Sequence, residues 1–502
     1  MNKVTKNIIA NYLGKLWSFV SIFIFVRLYI DLLGIESYAI INFYTVILGL
    51  LVFADAGLTA TLTRELARDI SIETKANLVY TFERIYIGIC FLLTILVIIF
   101  APYVADNFLK SQIYPVETVA YFLKLIGFGV ALQLFSTLYE GGVNGLQHQV
   151  FTNKIKIIWS TCRAGLVLVP LYFLPKLEIY FWWQIFCNII LLLIFRKKIK
   201  ILLPNPNPFF SKELLKSISK YALGMMGIAL ISGINIQIDK LVISKYLSME
   251  LFGYYSIASL LAQLPLMIVT PIIIAVFPIL AFFVSQDDQD SVVKSFHKYS
   301  FLITVIVAPI VFCIALYSIP LVTLWTGKAD IAYSVNYVVK ILIIGGFFLC
   351  LQLTPFYLAL ANGSTKINLY TGIVGLIVII PLIIYSISHY GMIGAAIPWV
   401  IVNIGGFLFV GFYSVHKFLK GQILYWLIWD IFVPITISVM IGLFIETILS
   451  NINGEYMFIG KSLLIGVLSV VFNIIIQNMK NPDYSIIDVR SFYELVKGKV
   501  LK

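Results

Sequence analysis

Ionisable side chains inside long apolar stretches are the residues of this sequence that could do chemistry. The basic candidates are Lys15, Arg27, Lys124, Arg163, Lys240 and Lys340, and the acidic candidates are Asp55, Glu140 and Asp239. A charge at the centre of a bilayer costs about 2.5 to 3.5 kcal/mol on insertion scales, so each needs a bundle interior, a partner or a wet cavity. The excess of cations favours an anionic ligand group, such as a pyrophosphate at low dielectric.

The neighbours Asp239 and Lys240 give the strongest local signal. Together with Ser232 and Asn235 they form a stripe, that is, a row of polar residues at helical spacing. The two charged residues lie so deep in the predicted span that neither reaches water easily. One interpretation is a structural ion pair within the bundle. The other is an acid that responds to a proton or cation beside a cation that binds an anion.

Three further stripes recur at helical spacing and place their polar members on one helix face. The stripes are Asn7, Asn11, Lys15 and Ser18; Gly129, Gln133, Ser136 and Glu140; and Asn153, Lys156, Ser160 and Arg163. We expect the second and third to face a cavity or its cytoplasmic mouth. Lys15 either lines a central cavity or snorkels to the nearby interface.

The remaining charged residues also have structural interpretations beside functional ones. Arg27, Lys124 and Lys340 lie near the outer ends of their helices, where they could line a path or snorkel to the interface. Asp55 could titrate, or it could cap or hinge a broken helix before Gly57. Asp430, beside Trp429, is expected at the membrane interface.

The elements that position these residues are membrane-spanning helices. The chain has 502 residues, of which 61% are hydrophobic and 12% charged, a balance that a water-soluble surface of this size could not present. Apolar runs of roughly 20 residues recur along its length, as a bilayer requires of helices. The predicted spans are 8–30, 38–60, 84–104, 118–140, 157–175, 178–196, 221–244, 253–283, 299–319, 335–360, 367–388, 392–415, 423–448 and 459–478.

Basic residues fall in alternate loops. Of the 36 Lys and Arg residues, about 25 lie on one side of the membrane, about 5 on the other and about 6 within spans. The rule that basic loops stay inside predicts both termini in the cytoplasm and an inner-membrane protein. The basic loop from Arg196 to Lys220 is either this orientation signal or a funnel for a substrate headgroup.

The two halves of the chain resemble each other. Lys124 is followed by Gln133, Tyr139 and the pair Asn144-Gly145, and Lys340 is followed by Gln352, Tyr357 and the pair Asn362-Gly363. Because six spans separate the copies, the repeat is parallel, which places a substrate site between the halves. We predict an all-α polytopic protein with a lobe at 1–200, a cytoplasmic linker at 201–220, a second lobe at 221–420, two further helices at 421–480 and a cytoplasmic tail at 481–502.

Enzymatic motifs are missing from the sequence. It has no nucleophile elbow, phosphate-cradling glycine loop or H-E-x-x-H, and the five cysteines form no ligand set, so we predict neither a catalytic residue nor a metal or other cofactor. Basic residues do not cluster on a soluble, aromatic-rich domain, so the net charge of +12 does not indicate nucleic acid.

Several segments resemble polysaccharide repeat-unit flippases, the O-antigen type within the multidrug/oligosaccharidyl-lipid/polysaccharide exporter superfamily. The segments are FADAGLTATLTR at 53–64, Gly145-Leu146-Gln147 with Asn153, Ile238 to Tyr255, Tyr357 to Lys366, and Gly391 to Ala396. The resemblance that these segments carry extends over about 415 of the 502 residues. His148 departs from the pattern, because an arginine is expected there.

The resemblance implies two six-helix lobes, two additional helices and alternating access to a cationic cavity. It implies undecaprenyl pyrophosphate carrying one oligosaccharide unit as the substrate, moved to the periplasmic leaflet by a proton or sodium gradient. The basic candidates would attract the pyrophosphate, and Asp239, Asp55 and Glu140 would respond to the coupling ion. A polysaccharide polymerase and a chain-length regulator are expected partners.

Two other functions compete with this one. A drug or metabolite cation antiporter of the same superfamily would carry acids rather than lysines at its centre. A membrane-embedded polysaccharide polymerase or ligase needs a substantial outer loop with catalytic Arg or His, whereas the outer loops here are short.

Overall fold

The described residues of the computed structural model form helices joined by short turns, with no strand among them. These residues are 21, 23–55, 57–205, 207–213, 216, 237–364, 366–450, 454 and 456–484. The helices are α1 (23–33), α2 (Ile35–Asp55), α3 (Leu58–Ala67), α4 (Ile72–Phe108), α5 (Val116–Gly145), α6 (Gln149–Phe173), α7 (Leu177–Leu202), α8 (237–246), α9 (Met249–Ser285), α10 (Gln289–Leu316), α11 (Ser318–Thr326), α12 (Ala329–Ala361), α13 (Lys366–Phe418), α14 (Ile423–Ile448) and α15 (Met457–Lys480).

Ten of the described helices are long and apolar enough to cross a membrane. They account for eleven of the predicted spans, because α13 contains two of them around Gly391, whose φ of 56° and ψ of −134° break the helix. The second predicted span is α2, and the first and seventh lie largely outside the described residues. The multi-pass helical fold is confirmed, while the count of fourteen and the position of the termini stay predictions.

The chain divides into two units, Met1–Tyr254 and Tyr255–Lys502. In the first unit, α3, α4, α5 and α7 share a buried apolar core that includes Leu62, Phe82, Leu138 and Phe195. In the second unit, α10, α12, α13 and α14 pack around Trp426. The lobe and linker boundaries predicted at 200 and 220 stay predictions.

Helices α5 and α12 end in the same way, which supports the internal repeat. In each, a residue with positive φ follows the last turn: Gln147 at 63° and Gly363 at 71°. In each, the next amide bonds back to the carbonyl five residues earlier, from His148 to Val143 and from Ser364 to Ala359. The offset between the copies is therefore 216 residues, as between Lys124 and Lys340. The predicted match of Gly145 with Gly363 is wrong by two residues.

The contact between α5 and α3 depends on Gly145. A Cβ there would lie 2.6 Å from the carbonyl oxygen of Thr63 and 3.1 Å from the Cβ of Leu66. We expect Gly145→Ala to lower the free energy of unfolding by about 1 to 3 kcal/mol, because the rigid backbone of α3 must move. The control is Gly466→Ala in α15, where a Cβ meets nothing within 4 Å. Equal melting temperatures of the two variants in detergent would contradict this packing.

Candidate functional site

A π turn at Cys162–Leu166 interrupts α6 and presents its carbonyl groups to neighbouring helices. The carbonyls of residues 162, 163 and 164 accept hydrogen bonds from the Trp183 indole (3.1 Å), the Gln184 amide (3.3 Å) and the Tyr29 hydroxyl (2.6 Å), respectively. The turn is thus held by side chains of α1 and α7. Such turns are rare and frequently mark functional sites.

The Arg163 side chain lies in a polar and aromatic setting. Its Nε donates to Gln184 Oε1, and its Nη1 donates to Gln133 Oε1 at 3.4 Å. The guanidinium carbon lies 4.8 Å from the Trp159 ring centre and 5.3 Å from that of Tyr44, whose hydroxyl also donates to Gln133 (3.0 Å). We call these five residues the Arg163 site.

The guanidinium of Arg163 has further N–H donors with which it could bind an anion. Within the described part of the chain, no carboxylate lies within 4.0 Å of the Arg163 nitrogens, so the charge is balanced only by amide oxygens and ring faces. A guanidinium has five N–H donors in a planar fork that fits phosphate oxygens, and the contacts above occupy two of them. The side chain is half-buried and therefore reachable.

The two polar stripes predicted on α5 and α6 do face each other. Besides the contact between Arg163 and Gln133, Lys156 Nζ lies 2.8 Å from Glu140 Oε1. The side chains of that pair are 44% and 22% exposed, so the pair contributes at most about 1 kcal/mol. Two residues of each stripe therefore contact residues of the other stripe. A coupling role for Glu140 stays a prediction.

Asp55 ends α2 and caps α3. Its Oδ1 accepts from the backbone N–H of Thr59 (3.1 Å), from the Thr59 hydroxyl (2.7 Å) and from the Tyr86 hydroxyl. Gly57 makes the break possible, because its φ of 72° is a conformation that side chains disfavour. The structure therefore contains the capping arrangement that was one of the two interpretations of Asp55.

Two variants separate capping by Asp55 from titration. Asp55→Asn retains an oxygen that accepts from Thr59, so we expect a nearly unchanged melting temperature, while Asp55→Ala should lose about 1 kcal/mol. If Asp55 also binds a coupling ion, the asparagine variant loses the response of transport to an ion gradient. A response equal to that of the wild type would leave capping as the role of Asp55.

Asp239 and Lys240 lie in α8, and both are half-buried. The buried Asp239 Oδ1 has no hydrogen-bond partner among the described residues. The two side chains, both described, do not come within the 4.0 Å of a direct ion pair. Their stripe mates Ser232 and Asn235, and Lys15 of the first span, lie outside the described residues.

The three basic candidates that were predicted near the outer ends of their helices differ in their surroundings. Arg27 is exposed and lies 3.8 Å from Asp31. Lys124 is exposed, and Lys340 is half-buried with its Nζ 5.9 Å from the Tyr337 ring centre. Both interpretations of these residues, path-lining and snorkelling, stay open.

Sequence reasoning missed several residues that the fold brings together. Gln184, Tyr44 and Trp159 carried no charge signal, although they form most of the Arg163 site. Asp430, expected at the membrane interface, is fully buried against His297, a contact that the sequence did not reveal. The available sequence signal was an aspartate beside Trp429 within an apolar run.

Comparison with known proteins gives a family match over most of the chain. Residues 31–332 match the family described as "Polysaccharide biosynthesis protein". A protein of Shigella flexneri named "Putative O-antigen transporter" is 25% identical over 373 residues, which cover 73% of this chain and 87% of that protein.

Solved structures share the fold at low sequence identity. The lipid II flippase MurJ in an inward closed conformation matches with a TM-score of 0.72 at 17% identity, over 93% of this chain and 97% of MurJ. An inward-facing multidrug resistance transporter of the MATE family, in the MOP superfamily, matches with a TM-score of 0.64 at 15% identity, over 82% and 96%.

Proposed function

Because the chain belongs to the polysaccharide biosynthesis protein family, we propose that it is a flippase for undecaprenyl-pyrophosphate-linked oligosaccharide repeat units. It moves them from the cytoplasmic to the periplasmic leaflet of the bacterial inner membrane by ion-coupled alternating access. The polymer is O-antigen or a related surface polysaccharide.

The Arg163 site is the observation that carries this proposal. A lipid-linked sugar presents a pyrophosphate and a carbohydrate side by side. The guanidinium offers free donors to the phosphate oxygens, whereas Gln133, Gln184 and the aromatic rings suit the hydroxyls and apolar faces of a sugar. A cationic drug would be repelled by an arginine that no described carboxylate balances.

The comparisons support transport rather than catalysis. The fold is that of the MurJ flippase and of MATE transporters, and the Shigella relative bears the name of an O-antigen transporter. The family description indicates polysaccharide biosynthesis. These similarities favour the lipid-linked substrate over a drug, and a transporter over a polymerase or ligase.

The remaining candidates receive roles within this proposal. Lys15, Arg27, Lys124, Lys240 and Lys340 attract the pyrophosphate or line its path together with Arg163. Asp239, Asp55 and Glu140 respond to the coupling ion, a proton or sodium. Asp239 Oδ1 has no hydrogen-bond partner among the described residues, and a buried carboxylate oxygen requires one, which is consistent with binding of the coupling ion.

Ligand-dependent stabilisation of the purified protein tests the substrate class. A ligand present at 100 times its Kd stabilises the folded state by about 2.7 kcal/mol, which raises the melting temperature. We expect this rise with undecaprenyl-pyrophosphoryl oligosaccharide, a smaller one with undecaprenyl monophosphate and none with a cationic drug. The rise should shrink in Lys240→Ala. Stabilisation by the drug alone would favour the antiporter, and release of transferred sugar would favour an enzyme.

A further inference from the structure

A histidine and an aspartate are buried together in the second unit, outside the Arg163 site. His297 lies in the third turn of α10, and Asp430 lies near the start of α14. Both side chains are 0% exposed, and His297 Nδ1 lies 2.7 Å from Asp430 Oδ2. Burying two ionisable groups is costly, so the pair needs either a strong structural or a functional reason.

The other ring nitrogen of His297 faces an amide group that can accept a hydrogen bond from a protonated nitrogen or donate one to an unprotonated nitrogen. His297 Nε2 lies 3.1 Å from Gln422 Oε1. With that oxygen as acceptor and Asp430 as acceptor at Nδ1, both ring nitrogens must carry protons, and the ring is an imidazolium. Rotation of the Gln422 amide by a half turn presents its NH₂ group instead, which suits a neutral ring with a free lone pair at Nε2. One proton can thus be bound or released without backbone movement.

Polar atoms extend away from the pair along α15, which packs against α10 and α14. Ser469, Asn473 and Gln477 follow at steps of four, and all three are at most 1% exposed. Asp430 Oδ1, Asn473 Oδ1 and Ser469 Oγ have no hydrogen-bond partner within the described residues. Buried polar atoms of this kind are normally satisfied by water, so the stripe is suited to hydration.

The stripe ends at a mixed cluster beyond Ser469. Cys313, Ile445, Phe458 and Ile465 pack there with Tyr317, which follows α10. The Tyr317 hydroxyl donates to Glu446, which lies 3.4 Å from Lys461. Because the stripe leads from the pair only to this cluster, a proton would reach the His297–Asp430 pair from the opposite end of the three helices. One-sided access is what a coupling site needs in any one state of a transporter.

The titratable neighbours of the pair are few. Tyr425 of α14 and Tyr484 of the turn Pro482–Tyr484 each place their ring centres 4.8 Å from that of His297. Beyond Tyr484 lie Lys294 and Asp483, which pair at 3.1 Å, and Asp290. Lys294 and Asp483 pair with each other, and Asp290 lies near them rather than against the imidazole. The ionisable partner that His297 contacts directly is therefore Asp430.

We propose that the His297–Asp430 pair, with Gln422, is a proton-binding site that couples proton movement to transport; the coupling rests on the flippase function proposed above. A proton from water binds the lone pair of His297 Nε2, forming an N–H bond, and returns to water when the transporter changes state. A histidine suits this role because its charge ordinarily changes between about pH 5 and 8. The assignment to a proton rests on the imidazole, whose ring nitrogen binds a proton in this pH range.

Nuclear magnetic resonance of the labelled imidazoles tests proton binding directly. The chain has only 4 histidines, so the ¹⁵N signals of His297 are assigned by comparison with His297→Gln. In nanodiscs, we expect the His297 ring to change between one and two protonated nitrogens within about pH 5 to 9. Asp430→Asn keeps an oxygen opposite Nδ1 but removes the counter-charge, so the ¹⁵N signals of His297 in this variant should differ from those of the wild type at the same pH. A ring whose state is constant over this range would overturn the proposal.

Transport in proteoliposomes tests coupling. A pH gradient should accelerate translocation of lipid-linked oligosaccharide by the wild type and by the control His389→Gln, whose exposed ring lies against Tyr385 and Ser388. In His297→Gln and Asp430→Asn, we expect the ratio of rates with and without the gradient to fall to about one, while gradient-free exchange continues. Variants that respond like the wild type would overturn the coupling and leave the flippase intact. A wild type without translocation would instead reject the flippase, and the nuclear magnetic resonance titration would still decide proton binding.

Discussion

Replacing Arg163 by glutamine is expected to slow translocation of the lipid-linked oligosaccharide by about 10- to 100-fold. Hydrogen bonds to charged groups contribute about 1.5 to 3 kcal/mol, and the substrate's pyrophosphate would lose its charged partner. Arg163→Lys should retain part of the rate, because an ammonium keeps the charge but lacks the planar fork. The initial rate in proteoliposomes, at matched protein density, measures both effects.

A purely structural role of Arg163 would give a different pattern. The guanidinium also holds Gln184 and Gln133, so the variant could be slow because the π turn is disturbed. Inorganic pyrophosphate should inhibit the wild type and the control Lys197→Gln, an exposed residue near the end of α7, but not Arg163→Gln. Equal inhibition of all three proteins would assign the pyrophosphate to another site.

Removing one member of the buried His297–Asp430 pair should destabilise the protein more than removing both. Asp430→Leu leaves the imidazole and its Nδ1–H without an acceptor in a fully buried position, at a cost of about 3 to 5 kcal/mol. The double variant His297→Leu/Asp430→Leu replaces the pair by apolar groups and should recover most of that loss. The measurement is the free energy of unfolding in mixed micelles, compared through a double-mutant cycle.

One result of the double-mutant cycle would contradict this prediction. If the double variant is as unstable as the sum of the single variants, the two side chains do not interact and their closeness is incidental. If instead the double variant is stable but no longer responds to a pH gradient, the pair is dispensable for folding and required for coupling. The second result is expected.

Helix faces were predictable from the sequence, but their partners were not. The spacing of Gln133 and Glu140, and of Lys156 and Arg163, correctly placed each pair of side chains on one face. Which faces meet depends on how helices pack, and uncharged Gln184 and Tyr44 come from two other helices, 21 and 119 positions from Arg163 in the sequence. Periodicity cannot identify such partners, because they look like ordinary core residues.

Of the two irregular backbone features near the candidate residues, one was predictable from the sequence and the other was not. The break at Asp55 and Gly57 was visible as an acid followed by a glycine at the end of an apolar run. The π turn in α6 was not, because no single residue type encodes it and tertiary hydrogen bonds to its carbonyls stabilise it. The burial of Asp430 was missed because its partner His297 is 133 residues away.

Translocation of a fluorescent undecaprenyl-pyrophosphoryl oligosaccharide across proteoliposomes tests the central claim most directly. With wild-type protein, a membrane-impermeant quencher should reach nearly all of the fluorophore, rather than only the outer-leaflet portion that it reaches in protein-free vesicles. Folded wild-type protein that leaves the inner-leaflet portion protected would contradict the assignment as a lipid-linked oligosaccharide flippase.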